Sequence, residues 1–181
     1  MTRGFVIFIA VIVLGCAYVV SVASGADAQI VALGASNTKG KGVASDETYS
    51  ARLEALLRSR GIAVTVTNEG VDFDTLSGML RRLDRSVPQG TRIVILQVGG
   101  PASRLGRQGN WQSDVSTLRS RLEARRILVI IIRALSKIVP PDAFQPDGIH
   151  LTAAGHAMVA EWLLPQVMEA LKTQEREKGT F

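Results

Sequence analysis

Three side chains in this chain of 181 residues could together do covalent chemistry: Ser36, Asp147 and His150. A serine hydroxyl is a poor nucleophile at neutral pH and needs an adjacent base. Of the two histidines, His156 falls inside a stretch patterned as helix, which leaves His150 as the candidate base. Asp147 and His150 are separated by Gly148 and Ile149, so the carboxylate can reach the imidazole Nδ1 and leave Nε2 facing Ser36. That is the logic of a Ser-His-Asp triad performing acyl transfer. Alone, each residue is ordinary: a serine after a strand usually caps or turns the chain, and Asp-x-x-His usually caps a helix beside a surface histidine. The case therefore depends on whether the chain brings them to one place.

The elements that would do so follow from hydrophobic periodicity. Residues 29–33 read as a short strand. Ser45 caps a helix with Asp46 and Glu47 in its first turn and Leu53, Leu56 and Leu57 on its apolar side, ended by Gly61. Residues 63–67 are a β-branched strand, 76–87 a helix carrying Leu76, Met79, Leu80 and Leu83, and 91–97 a third strand. Residues 113–125 form a helix through Val115, Leu118 and Leu122, and 127–132 are apolar enough to be a strand buried on both faces. Pro140, Pro141 and Pro146 hold an irregular segment open. A last helix over 152–172 turns Met158, Val159 and Trp162 inward, with Pro165 kinking or splitting it, and 173–181 is a solvated tail.

Strands alternating with helices predict a three-layer α/β/α sandwich with a parallel sheet. Right-handed crossovers then put every strand C-terminus on one edge, where ligand chemistry is expected. The unusual residues converge there: Gly34-Ala35-Ser36-Asn37-Thr38 after the first strand, Asn68-Glu69-Gly70 after the second, Gly99-Gly100 after the third, and Asp147-Gly148-Ile149-His150 after the fourth and its loop.

Composition bounds the rest. A hydrophobic content of 46% over this length suits one compact domain. The net charge of +5 is spread over helix faces, at Arg52, Arg58, Arg81 and Arg125 for example, so nucleic acid is not an expected partner. Cys16, the single cysteine, lies in the N-terminal apolar run, so no internal disulfide or thiolate metal cluster is available. Arg3 followed by an uncharged apolar run over 5–22 reads as an export signal, with Ala26-Asp27-Ala28 as a small-x-small cleavage site. The run is also long enough to anchor the domain to a membrane, and Val13-Leu14-Gly15-Cys16 gives a lipoprotein-type variant. Residues 1–28 are thus a signal peptide or anchor, and the domain is expected to be exported to the periplasm or held at the inner membrane facing it.

Pro146-Asp147-Gly148-Ile149-His150-Leu151-Thr152 resembles the last signature block of the SGNH (GDSL-type) hydrolases. Gly34-Ala35-Ser36-Asn37-Thr38 is similar to their first block, G-D-S-L-T, and Asn68-Glu69-Gly70 with Thr75 to their second, N-x-G-x-x-G-x-T. The resemblance covers nearly all of 29–172. It implies a flavodoxin-like SGNH hydrolase fold, Ser36 as nucleophile, the backbone N–H groups of Ser36 and Gly70 as oxyanion donors, and no cofactor. The nearest type within the family is the small periplasmic thioesterase or lysophospholipase, acting on a small acyl ester or thioester.

The chain departs from the family pattern in each of three blocks. Ala35 stands where the first block has Asp; Phe73 replaces the second glycine of the second block, with Asp74 before Thr75; and Gly99-Gly100-Pro101-Ala102 replaces G-x-N-D, so the third oxyanion donor, an asparagine side chain, is missing. Loss of one such donor typically costs on the order of 10²–10³ in turnover. Asn37 and Asn68 are the candidates to replace it, and with Gly100 they are the candidate substrate contacts. The alternative expectation is a catalytically impaired protein of this fold that binds an acyl or glycan ligand. A phosphate loop over residues 34–42 fails on spacing, because Lys39 stands where the second Walker glycine belongs. A nucleotide site on the same edge would leave Asp147 and His150 unexplained. Asp46, Glu47, Asp72 and Asp74 read as caps and turn residues, so no metal is expected.

Overall fold

A computed structural model describes residues 28–98 and 110–178. Residues 1–27 of the expected export segment, the third-block residues Gly99, Gly100, Pro101 and Ala102, and the last three residues of the expected tail lie outside the described residues; Ala28, expected to end that segment, begins the first strand instead.

The described residues form a parallel sheet of order β2-β1-β3-β4, with β1 at Ala28–Gly34, β2 at Val64–Gly70, β3 at Thr91–Gln97 and β4 at Leu128–Ile132. The chain starts at β1, steps to β2 on one side and then crosses to β3 on the other, so the strand order reverses between β1 and β3. In open parallel sheets this reversal opens a crevice at the strand C-termini. The helices are α1 at Ser36–Lys39, α2 at Tyr49–Arg58, α3 at Leu76–Ser86, α4 at Trp111–Glu123 and α5 at Ala153–Lys178.

Strand alternation divides the core into two layers. Ile30, Ile93 and Ile95 point to one face, where Leu53 and Leu57 of α2 and Val159, Leu163 and Val167 of α5 cover them. Val31, Leu33, Val94 and Leu96 point to the other, under Leu76, Met79 and Leu83 of α3 and Val115, Leu118 and Leu122 of α4. The three-layer sandwich expected from the sequence is the fold observed.

Several local expectations are corrected. The chain at Ser45–Glu47 is a single 3₁₀ turn, and α2 begins at Tyr49 with Thr48 as its cap, the Thr48 hydroxyl accepting the Ala51 N–H at 3.3 Å. Asn68, Glu69 and Gly70 belong to β2 rather than following it, because they pair with Ala32, Leu33 and Gly34 of β1. β4 is not buried on both faces: among the described residues it has a sheet neighbour only in β3, and residues 128–131 are half-buried, with only Ile132 fully covered. α4 starts at Trp111 and ends before Arg126, whose left-handed backbone (φ 58°) cannot continue a helix.

The largest correction concerns the C-terminus. α5 continues to Lys178, so residues 173–178 are helix and not tail. Gln174 is buried, accepting from Arg92 Nε at 2.8 Å and donating to the Arg92 carbonyl at 2.8 Å, which pins that turn to β3. Pro165 removes one N–H from the ladder but does not end the helix, whose inner face is anchored on both sides of it by Leu163, Leu164 and Val167. Met158 and Trp162 are more than one-third exposed and not inward; Val159, Ala160 and Leu163 fill the interior instead.

Candidate active site

Strands β1 and β2 end side by side, Gly34 opposite Gly70. Ser36 follows β1 as the first residue of α1, a single turn whose leading N–H groups have no acceptor within the helix. Gly70 must be glycine because a Cβ there would collide with the backbone of Lys39 in α1. The close contact of these two elements is therefore built into the sequence at Gly70.

The third piece is the turn preceding α5. Asp147 Oδ1 accepts the backbone N–H groups of Ile149 (2.9 Å) and His150 (3.0 Å), while Oδ2 accepts His150 Nδ1 at 2.6 Å. Gly148 takes a left-handed backbone (φ 65°) with open space around its α-carbon, so the requirement for glycine is conformational. His150 Nε2 lies 3.0 Å from Ser36 Oγ. An ionised carboxylate only accepts, so Nδ1 carries the proton and Nε2 is the acceptor for the Ser36 hydroxyl. The N–H and ring of His150, followed by the Ile149 N–H, hold the Asp147 carboxyl well below the usual carboxylate range. The structure thus brings together the three residues singled out by their chemistry.

Other expectations for the site are revised. Asn37 is buried and does not face a substrate: its Nδ2 donates to the Ile149 carbonyl at 3.0 Å and its Oδ1 accepts the Leu151 N–H at 2.9 Å. Asn68 is equally committed, donating from Nδ2 to the Thr38 carbonyl (2.7 Å) and to Ser50 Oγ (3.0 Å). Neither amide is free to replace the missing third oxyanion donor. The N–H of Gly70 itself donates to Asn68 Oδ1 at 3.0 Å, a two-residue side-chain turn that occupies one of the two expected backbone donors. Gly100 lies outside the described residues.

Three contributors escaped the sequence reading. Arg82, on α3, is buried and ties the strand ends together: Nη2 donates to the carbonyls of Gly34 (3.1 Å) and Glu69 (3.0 Å), Nε to Asp74 Oδ2 (2.8 Å), and Nη1 to Ser86 Oγ (2.8 Å). Its signal was its phase, since Met79, Arg82, Leu83 and Ser86 fall on one helical face, the buried one. Gln145 braces the histidine turn against the loop after α1, donating from Nε2 to the carbonyls of Lys41 and Leu151, each at 2.7 Å; no local pattern announces it. Behind α1, Thr38 Oγ1 shares a hydrogen bond of 2.9 Å with the hydroxyl of buried Tyr49, whose backbone N–H donates to His156 Nδ1 at 3.1 Å. His156 is buried, and burial lowers its pKa to about 4.

Phe73 is 81% exposed, with Lys41 Nζ 5.1 Å from its ring centroid. It adopts φ 59°, the left-handed conformation for which glycine is the ordinary residue, at the position where the second signature block carries glycine. Lys39 pairs with Asp72 at 2.6 Å across the same loop. A cleft of about 460 Å³, lined by Lys39, Ser45, Thr48, Glu54, Asn68 and Gly70 among others, touches the site only at Asn68 and Gly70; Ser36, Asp147 and His150 do not line it.

No family model matches the sequence, and no curated protein matches it. Solved structures do match in fold. The psychrotrophic esterase EstA from Pseudoalteromonas sp., in a form inhibited by monoethylphosphonate, superposes with a TM-score of 0.63 at 15% identity over 83% of this chain and 100% of its own. AlinE4, an SGNH-hydrolase family esterase, gives a TM-score of 0.59 at 24% identity over 81% of this chain and 98% of its own. A family 3 carbohydrate esterase from Clostridium thermocellum gives 0.58 at 17% identity over 80% and 98%. The fold of this chain is therefore the α/β fold of the SGNH hydrolases.

Proposed function

We propose that the protein is a serine hydrolase of the SGNH type that cleaves small acyl esters or thioesters through an acyl-enzyme. The observation that carries this reading is the continuous hydrogen-bonded line Ser36–His150–Asp147, with contacts of 3.0 and 2.6 Å. Its likeness in fold to solved esterases supports the same reading.

In this mechanism His150 Nε2 takes the Ser36 proton as Oγ attacks the carbonyl carbon. The tetrahedral oxyanion is held by the N–H of Ser36 and by the N–H of Gly70, which exchanges Asn68 Oδ1 for the developing charge. His150 then protonates the leaving oxygen or sulfur, the bond to it breaks, and the acyl group stays on Ser36. A water molecule gives its proton to His150, attacks the acyl carbon and releases the acid, and the Ser36 oxygen recovers its proton. Asp147 fixes the tautomer and stabilises the charged ring. The apolar segment over residues 5–22 supports a setting outside the cytoplasm, exported or anchored to the membrane.

The second reading, a protein of this fold that binds an acyl or glycan ligand with little turnover, is favoured by one observation: the Gly70 N–H is already satisfied by Asn68. Hydrolysis of p-nitrophenyl esters from acetate to octanoate, by the full chain and by Ser36→Ala and Pro101→Asn, separates the two. Turnover abolished in Ser36→Ala supports the hydrolase. Silence of the wild type with recovery in Pro101→Asn assigns the defect to the oxyanion hole. Silence in both supports the binding protein.

A further inference from the structure

We infer that Asn37 is a positioning residue that sets the distance between the nucleophile and its base, an inference that rests on the hydrolase reading of Ser36 and His150. Only bonds that join the histidine turn to the Ser36 segment can fix that distance. Asp147 and His150 form a self-contained turn: Asp147 Oδ1 and Oδ2 engage the backbone and ring of His150, the Gly148 N–H donates to the Gln145 carbonyl at 2.8 Å, and the Gln145 N–H donates to the His150 carbonyl at 2.7 Å. All of these bonds move with the turn. None ties it to Ser36.

The bonds that cross from the nucleophile side are few and unequal. Gln145 Nε2 reaches the Lys41 carbonyl, five residues beyond Ser36 and past the end of α1. Asn37 is the residue covalently next to Ser36, and its amide takes hold of the peptide groups on either side of His150: the Ile149 carbonyl accepts from Nδ2 and the Leu151 N–H donates to Oδ1. The His150 α-carbon is thus held from both flanks by a side chain whose own α-carbon is one peptide unit, ~3.8 Å, from that of Ser36. Asn37 is 5% exposed, so water does not compete for these bonds. The signature block that this segment resembles has leucine at this position, which can fill the space but can neither donate nor accept. The structure contains a polar link between nucleophile and base that a leucine cannot make.

A displacement of reacting groups by about 1 Å can cost on the order of 10²-fold in rate. The test uses the full chain carrying Asn37→Leu, which keeps the branched shape and removes both bonds, and Asn37→Asp, which keeps the acceptor for Leu151 and loses the donor to Ile149. Steady-state p-nitrophenyl acetate hydrolysis, corrected for the folded fraction, is read beside the proton NMR signal of His150 Nδ1–H. The expected result is kcat lower by on the order of 10²-fold in Asn37→Leu with KM within about twofold, a smaller fall in Asn37→Asp, and faster solvent exchange of the Nδ1 proton in both. An unchanged kcat per folded molecule together with an unchanged Nδ1–H signal would overturn the inference and leave Asn37 as packing alone. If neither the wild type nor Pro101→Asn shows Ser36-dependent turnover, the hydrolase reading fails. The NMR signal then decides the link by itself: altered exchange in Asn37→Leu upholds it and unaltered exchange overturns it.

Discussion

Arg82 Nε donates to Asp74 Oδ2 at 2.8 Å, and the same guanidinium grips the carbonyls of Gly34 and Glu69. Both side chains of the pair are at least nine-tenths buried, so removing one leaves the other's charge without its partner. Breaking such a pair typically costs about 3–5 kcal/mol. Arg82→Met should lower unfolding free energy by that order in urea titration, and Arg82→Lys should recover little, since an ammonium cannot span both carbonyls and the carboxylate. A loss below about 1 kcal/mol for Arg82→Met would show that the strand ends hold without it.

His156 gives the fold a defined acid sensitivity. Nδ1 accepts from Tyr49, so the neutral ring carries its proton on Nε2, which is buried with no partner among the described residues. Burial, opposed by Glu47, lowers the folded pKa from 6.5 to about 4. The unfolded chain therefore binds this proton first. Stability is unaffected above pH 6.5, falls as pH drops from there toward about 4, and levels below; the full loss is on the order of 3 kcal/mol. Urea unfolding at pH 7, 5.5 and 4.5 should show a steeper acid loss in the wild type than in His156→Leu. Parallel slopes would assign the acid sensitivity to other groups.

Two left-handed positions should respond oppositely to substitution. Phe73 carries a side chain at φ 59° while being mostly exposed, so Phe73→Gly removes strain and little packing beyond the Lys41 contact. Its melting temperature should match or exceed that of the wild type. Gly148→Ala introduces a Cβ at φ 65°, at a cost of about 1–2 kcal/mol, and twists the turn that joins Asp147 to His150. Thermal unfolding together with ester hydrolysis distinguishes them, with activity falling only in Gly148→Ala.

Asp147→Asn would leave the turn largely intact but deprive His150 of the acceptor that fixes its tautomer, and the rate should fall by up to about 10⁴-fold. Because its carboxyl is held far below the usual range, Asp147 stays ionised through mildly acidic pH. Hydrolysis by the wild type and by Asp147→Asn, compared from pH 7 down to pH 5, should therefore show the wild-type advantage throughout; its disappearance at pH 5 would show that Asp147 is already protonated there.

What the sequence made legible was the part written in local pattern. β3 occupies the residues its apolar run marks, the sheet is parallel, and Asp147 and His150 meet because a glycine turn leaves them no great distance to cover. What stayed hidden depends on who lies next to whom. The apolar run of β4 suggests burial on both faces, yet its place at the sheet edge is a property of strand order and not of residues 128–132. Arg82 looked like one more cation on a helix face until its partners, Gly34, Glu69 and Asp74, came from three other segments. Asn37 and Asn68 looked like donors for a substrate because amides can serve ligands and backbone equally well; their actual partners are Ile149, Leu151, Thr38, Ser50 and Gly70. The helix over residues 173–178 was masked by its charge, and only Gln174 packing on Arg92 reveals why it persists.

Covalent trapping of the full chain with a p-nitrophenyl alkylphosphonate, read by intact mass and peptide mapping, probes the nucleophile itself. A single adduct on Ser36 is expected, formed with release of one p-nitrophenolate and absent in Ser36→Ala and in His150→Ala. No adduct on the folded wild type, or labelling that persists unchanged in His150→Ala, would contradict the assignment of Ser36 as a nucleophile activated by His150.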